Sequence, residues 1–200
     1  MVKGGQPQMP ESDASLVRKA AAGDPSAFSD LLRRHGQAIH AYLVRRSDRH
    51  AADDLLGEVW LRAYTAMGQY DERWQDARPW LYGIARNVLR EHWRRAGAAQ
   101  PGAEALAHLG AIDDPWPDVD ARLDAAARLA SLRRALARLA AADRDVLLLV
   151  TWEGLSPTEA AVALDIPPGT ARSRLHRARA VMRQLLDDDV ARPAASYQET

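Results

Sequence analysis

The stretch "LSPTEAAVALDIPPGTARSRLHRAR", Leu155 to Arg179, decides how this chain is read. Ser156, Pro157 and Glu159 mark a helix start: serine caps, proline takes the first helical position, and glutamate reaches back to complete a capping box. That helix ends near Leu164. "DIPPG", Asp165 to Gly169, is a tight turn carrying Gly169, and a longer helix begins at about Thr170. Along it Ala171, Leu175, Ala178, Met182 and Leu185 follow spacings of four and three residues, which makes one buried stripe. The remaining face shows Arg172, Ser173, His176, Arg177 and Arg179. A short capped helix, a turn and an arginine-rich helix form a helix-turn-helix. Arginine bonds guanine bidentately in the major groove and also holds phosphate, while serine adapts to several partners. An ordinary helical hairpin with a solvated arginine face is the plainer reading. Against it, Thr170 to Gln184 holds Arg172, Arg174, Arg177, Arg179 and Arg183 and no acidic residue.

The 200 residues suffice for two small domains, each with its own core. A formal net charge of zero argues, by itself, against nucleic acid. The charge is segregated, however. Glu104, Asp113, Asp114, Asp118, Asp120 and Asp124 gather in one segment with Arg122 as its sole base. A neutral chain divided in this way still binds DNA locally. Basic charge is almost all arginine, with Lys3 and Lys19 the only lysines; together with the abundant alanine this reads as coding bias. The absence of cysteine removes disulfides, zinc-thiolate sites and thiol nucleophiles together. No apolar run is long enough to span a membrane. The opening "MVKGGQPQMPESD" lacks the apolar core of a secretory signal, so a cytoplasmic, nucleoid-associated location is expected.

The pattern is helical almost throughout, with no period-two alternation and few β-branched residues. Leu16 to Ala22, Ala27 to Arg46, Ala51 to Met67 and Pro79 to Arg95 read as helices, broken by Gly23-Asp24-Pro25 and Ser47-Asp48. Gly68 closes the third, and "QYDERWQDAR" is a loop before the fourth. The expected organisation is all-α: an N-terminal extension (1–12), a first helical domain (13–95), a flexible acidic linker with glycine and proline (96–120), a helix-turn-helix domain (121–186) and a frayed tail (187–200). A short helical turn is expected around Glu104 to Leu109. The linker, of about 25 residues, reaches roughly 80 Å when fully extended.

Within Tyr70 to Arg95, Tyr70, Trp74, Trp80, Tyr82 and Trp93 alternate with Arg73, Arg78, Arg86, Arg90, Arg94 and Arg95. Rings stack on unpaired bases while guanidiniums hold the backbone, so this mixture suits a single strand. Trp80, Ile84 and Val88, spaced by four, read as core. Tyr70 and Trp74, in the polar loop, read as exposed. The stretch "ADDLLGEVW", Ala52 to Trp60, raises a separate question, because Asp53, Asp54 and Glu58 share a short piece of helix. Magnesium takes a few carboxylates together with phosphate oxygens, but no second acidic cluster faces these. Leu56, Trp60, Ala63 and Met67 line a core face; Asp54, Gly57, Glu58 and Leu61 line the face beside it. Gly57 costs about 1 kcal/mol against alanine inside a helix, which a close-approaching partner explains.

These segments, in this order, resemble the extracytoplasmic-function sigma factors of bacterial RNA polymerase, over about Asp24 to Arg95 and Ala121 to Leu186. "DDLLGEVWLRAY" looks like that family's acidic helix for the polymerase β′ clamp helices. "WLYGIARN" looks like its promoter-melting segment, and the opening stretch looks like its helix-turn-helix for the −35 element. The resemblance implies core RNA polymerase (β′ clamp helices and β flap), promoter DNA and an anti-sigma factor as partners. The expected polymerase-docking residues are Asp54, Leu55, Gly57, Glu58 and Leu61. Tyr70, Trp74, Arg78, Arg86, Asn87 and Arg90 are expected at the unpaired −10 strand. Thr170, Arg172, Ser173, Arg174, His176 and Arg177 are expected at the −35 element. Gly57 departs from the glutamine common in the family. Asp71 to Arg78 and His176 fall at variable positions, so base preference is not carried over.

The resulting expectation is a promoter-specificity subunit that catalyses nothing itself and needs no cofactor and no metal. The acidic run Asp113 to Asp124 is expected to thread the positively lined channels of the polymerase, as the family's linker does. Two rivals belong to other classes. A helix-turn-helix regulator acting without polymerase leaves the Asp54 face and the aromatic loop idle, and co-purification with core polymerase separates it from the sigma reading. A magnesium-dependent enzyme using Asp53, Asp54 and Glu58 requires metal-dependent thermal stabilisation.

Overall fold

Eight helices follow one another in the computed structural model, which describes residues 11–97 and 119–190. They are α1 (Asp13–Ala21), α2 (Pro25–Val44), α3 (Arg49–Ala66), α4 (Arg78–Arg95), α5 (Val119–Arg138), α6 (Ala141–Thr151), α7 (Pro157–Leu164) and α8 (Pro168–Val190), with a 3-10 turn at Met67–Gln69 after α3. The expected helical turn at Glu104 to Leu109, the acidic run Asp113 to Asp118, most of the linker, most of the N-terminal extension and the end of the tail lie outside the described residues.

The helix starts follow local chemistry. Ser12, Asp24, Asp48 and Ser156 each accept a backbone N–H of the first turn through the side chain, which satisfies one of the donors a helix leaves unpaired. The capping box before α7 is complete: Glu159 N–H donates to Ser156 Oγ (3.2 Å) and Ser156 N–H donates to Glu159 Oε2 (2.7 Å). Gly23 takes φ +97° in the turn between α1 and α2, a conformation that suits a residue without Cβ. Between α7 and α8 the left-handed residue is Asp165 (φ 53°), not glycine. Gly169, expected in that turn, instead lies in the first turn of α8, because the helix starts at Pro168.

In the first half, α2 packs on α1, α3 and α4, and α3 packs on α4. In the second half, α5, α6 and α7 pack on α8, and α6 also meets α7. The halves touch where α7 lies along α4. There, a Cβ on Gly83 would stand 3.4 Å from the carbonyl oxygen of Ala163. Glu153, in the loop between α6 and α7, crosses this boundary: its buried carboxylate accepts from Arg45 (2.7 Å) and Arg46 (3.3 Å) at the end of α2. Arg86 of α4 meets Asp145 of α6 at 3.5 Å.

A second buried carboxylate organises the N-terminal side. Asp13, at the start of α1, lies 2.8 Å from Nε2 of His35 and 2.9 Å from a nitrogen of Arg34, both on α2, and accepts Ala77 N–H at 2.9 Å. Burial alone would raise its pKa. The hydrogen bonds from His35 and Ala77 outweigh that and hold it at about 2, below the usual 3.8. An ionised carboxylate only accepts, so His35 Nε2 is the donor.

Two predictions follow from these acids. A carboxylate with a depressed folded-state pKa contributes stability that is fully present above its unfolded value and is lost as the pH falls through the folded one. The melting temperature of the native chain is therefore expected to drop between about pH 4 and pH 2 more steeply than that of Asp13→Asn. Circular dichroism melts across this range check it. Glu153→Ala leaves two guanidiniums facing each other at the boundary, and breaking a buried pair commonly costs about 3–5 kcal/mol. The variant is expected to show a larger radius of gyration in small-angle X-ray scattering; an unchanged radius would mean that α4–α7 packing alone holds the halves together.

Candidate nucleic-acid interface

The face of α3 expected to dock on polymerase is only partly free. Its core stripe is Ala52, Leu55, Val59, Trp60 and Ala63. Leu55, expected at the docking surface, is therefore a core residue at 5 % exposure, pressed inward because α2 and α4 both lie against α3. Asp54 and Gly57 are exposed, and a Cβ on Gly57 would meet nothing within 4 Å. Leu61 is 65 % exposed and Tyr64, one turn on, 53 %. The two form a small apolar patch beside the acids of α3. The ring of Phe28 packs edge-on against Tyr64 and Trp60. Glu58 is engaged within the chain: it pairs with Arg62, which also holds Glu91 at 2.5 Å, and Arg95 bonds Glu91 at 2.9 Å. Asp53 bonds His40 at 2.9 Å. Among the described residues, Asp53, Asp54 and Glu58 form no convergent ligand group.

The residues expected at an unpaired strand divide in the same way. Tyr70 is buried rather than exposed. Its hydroxyl donates to the carbonyl of Trp74, its ring meets that of Trp80 edge-on at 5.2 Å, and burial with Asp13 nearby pushes its pKa up. Trp74 and Trp80 are half-buried beside it. Trp80 and Ile84 pack at the edge of the core while Val88 lies inside it; the deepest residues of α4 are Leu81, Tyr82, Ala85, Val88 and Leu89. Arg78 is tied to Asp76 (2.7 Å) and Arg86 to Asp145. Asn87 and Arg90 are exposed, three residues apart on one face of α4. Tyr70, Trp74 and Trp80 form one wall of a cleft of about 610 Å³ whose other wall is Val162, Ile166 and Pro167 of the second half.

On α8 the stripe Ala171, Leu175, Ala178 and Met182 is buried, with Leu185 half-buried. The opposite face exposes Arg172, Ser173 and His176, while Thr170 and Arg174 are half-buried. Ser173 Oγ donates to the carbonyl of Thr170 at 3.0 Å. Arg177 shares this face but is committed to a fork on Asp143 of α6, through Nε (2.6 Å) and a terminal nitrogen (2.5 Å). That bond raises the Arg177 pKa. Behind α8, Leu132, Leu136, Leu147, Trp152 and Met182 line an apolar groove of about 380 Å³ with Arg179 and Arg183 at its rim.

Residues 31–99 match sigma-70 region 2, and residues 129–182 match sigma-70 region 4. The RNA polymerase sigma factor NccH of Alcaligenes xylosoxydans xylosoxydans is 34 % identical over 88 % of this chain and 96 % of its own length. The ECF RNA polymerase sigma factor SigM of Mycobacterium tuberculosis is 34 % identical over 88 % of this chain and 85 % of its own. The chain belongs to the ECF RNA polymerase sigma factors. Among solved structures, CnrH in complex with the cytosolic domain of CnrY superposes with a TM-score of 0.61 at 28 % identity, covering 88 % of this chain and 98 % of that one.

In this sigma factor several side chains that shape the surfaces carry weak sequence signals. Tyr64 was findable, since it follows Leu61 at helical spacing. Asp143 and Glu153 were not: nothing near them in sequence marks them out, and their partners are 34 and 108 residues away. The Asp143 fork yields a prediction. Arg177→Ala strands a buried carboxylate and is expected to lower the melting temperature by several degrees, whereas Arg172→Ala, exposed and outside that fork, is expected to leave it unchanged. Differential scanning fluorimetry of the two variants decides.

Proposed function

We propose that this chain is an alternative sigma factor that binds core RNA polymerase, brings it to promoters through −35 and −10 elements, and promotes melting. The observation that carries this reading is the order of surfaces along one chain: an α3 face with Leu61 and Tyr64 open beside Asp54, an α4 face with Asn87 and Arg90, and an α8 face with Arg172, Ser173 and His176. A regulator that only binds duplex has no use for the first two. In this reading Asp54, Gly57, Leu61 and Tyr64 meet the β′ clamp helices, with Glu58 reaching them from its ion-pair network. The groove behind α8 suits an apolar helix such as that of the β flap. Trp74, Trp80, Asn87 and Arg90 face the unpaired −10 strand, with Arg78 and Arg86 behind them. Melting then follows from differential binding, since a surface that holds unpaired bases stabilises the open state. The chain supplies no chemistry; the polymerase does.

Promoter elements at −10 and −35 stand on the order of 80 Å apart along B-DNA, while α7 and α4 are in contact. Reading both elements on one duplex therefore requires the halves to part, and residues 96–120 form a connection of the necessary reach. An anti-sigma factor that holds the chain before release fits the same picture; CnrH was solved with the cytosolic domain of CnrY. No helix among the described residues is long and apolar enough to cross a membrane, and a cytoplasmic, nucleoid-associated site of action belongs to the reading.

Run-off transcription with core polymerase on a promoter library is the test. Promoter-dependent starts are expected only when the chain is added; their absence would falsify the reading. Leu61→Ala is expected to weaken holoenzyme formation by about tenfold without changing the fold. Arg172→Ala should spare holoenzyme formation and cost about 1–3 kcal/mol at the −35 element. Equal loss of polymerase binding in both variants would overturn this division of labour.

A further inference from the structure

The loop between the 3-10 turn and α4, residues 70–77, is tied internally by short-range bonds: the Tyr70 hydroxyl donates to the carbonyl of Trp74, Trp74 N–H to that of Asp71 (3.0 Å), and Gln75 Nε2 to that of Glu72 (3.2 Å), while Asp71 holds Arg73 and Asp76 holds Arg78. The hydrogen bonds that tie it to the helices before it come from α1. Asp13 grips it on both sides of Asp76: its own N–H donates to the carbonyl of Gln75 (3.2 Å), and its carboxylate accepts Ala77 N–H (2.9 Å). Asp13 is itself clamped by His35 and Arg34 of α2. Nearer the C-terminus of α1, Arg18 reaches Glu72 at 3.0 Å. One short helix thus contacts the loop near its start and at its end. The loop carries Trp74, and its start and end set Tyr70 and Trp80.

Asp13, His35 and Asp76 also lie close enough to invite a metal. The bonding argues otherwise. The Asp13 oxygens already accept from His35, Arg34 and Ala77 N–H, Asp76 is bonded to Arg78, and the Arg34 guanidinium beside Asp13 repels a cation.

We propose that α1 is the positioning element for the strand-reading loop, with Asp13 as the positioning residue. This rests on the reading that Trp74, Trp80 and Asn87 face the melted −10 strand. Asp13 touches no base. Its work is to hold the loop in one conformation before DNA arrives, so that binding pays little ordering entropy. Loss of the grip leaves the polymerase face on α3 and the −35 face on α8 intact, because neither contacts Asp13. It frees the loop to sample many arrangements, so both the strength and the base selectivity of −10 capture decline.

The test uses full-length chain reconstituted with core polymerase. Asp13→Ala, Asp13→Asn and the exposed-pair variant Arg18→Ala are compared with the native chain in three readouts: holoenzyme formation, binding to a −35 duplex, and promoter opening by permanganate reactivity over a library randomised at −10. Asp13→Ala is expected to keep the first two within about twofold, to lower opening by about tenfold and to flatten the −10 preference. Asp13→Asn keeps an acceptor for Ala77 N–H and is expected to restore the −10 preference in part. Arg18→Ala, whose fold is not at risk, is expected to flatten the preference weakly while holoenzyme formation is unchanged. Parallel loss in all three readouts, or a −10 profile identical to that of the native chain in both Asp13→Ala and Arg18→Ala, overturns the positioning role. If the native holoenzyme itself shows no −10 preference, the underlying assignment of the loop fails instead, and the positioning role with it.

Discussion

A carboxylate removed from water must be supplied with hydrogen-bond donors, and among the described residues Asp13, Asp143 and Glu153 are buried in this way. Each is met by groups from another part of the chain. Asp13 joins α1 to α2 and to the loop before α4; Asp143 joins α6 to α8; Glu153 joins the second half to the end of α2. Apolar stripes bring the helices together, but stripes slide. Charged, directional contacts set which turn faces which. The alignment of the helix-turn-helix, of the loop and of the two halves each depends on one of these acids.

The same accounting explains a puzzle of composition. A nucleic-acid-binding chain with 27 basic and 27 acidic residues shows no net positive charge. Many of its guanidiniums are committed inside the protein: Arg45 and Arg46 to Glu153, Arg62 to Glu58 and Glu91, Arg177 to Asp143. Acids concentrated in the fold and on α3 balance arginines that a DNA surface also needs. Others, such as Arg90 and Arg172, are exposed. Net charge is a poor guide here because the two signs are sorted in space.

The contact of α7 with α4 gives the sigma factor a second consequence. The aromatic cluster of Tyr70, Trp74 and Trp80 forms one wall of a cleft closed by the helix-turn-helix half. The surface proposed to take unpaired bases is thus partly covered while the halves are together. Glu153 and Asp145 face Arg45, Arg46 and Arg86 across the boundary, and Glu153 is buried there, so the halves part only if these charges regain partners in water or on another molecule.

The sequence by itself determined the all-helical class, the helices of the first half, the capped start of α7 and the family, but not the break between α5 and α6. A capping box, a period of three and four, and a cluster of arginines without acids are local patterns, and local patterns are printed in order along the chain. The stripe on α8, the core placement of Trp60 and the exposure of Leu61 were all legible on that basis. What it did not determine was which member of an amphipathic turn faces inward. Leu55 and Leu56 are adjacent and equally apolar, and only the joint pressure of α2 and α4 buries the first more deeply. Tyr70 sits in a polar loop, yet Asp13, more than fifty residues earlier, holds that loop down and the ring turns into the core. Arg177 and Arg172 look alike on a helix wheel, and only the position of Asp143 separates an anchored guanidinium from an exposed one. These choices depend on partners distant in sequence, whose positions exist only once the chain has folded.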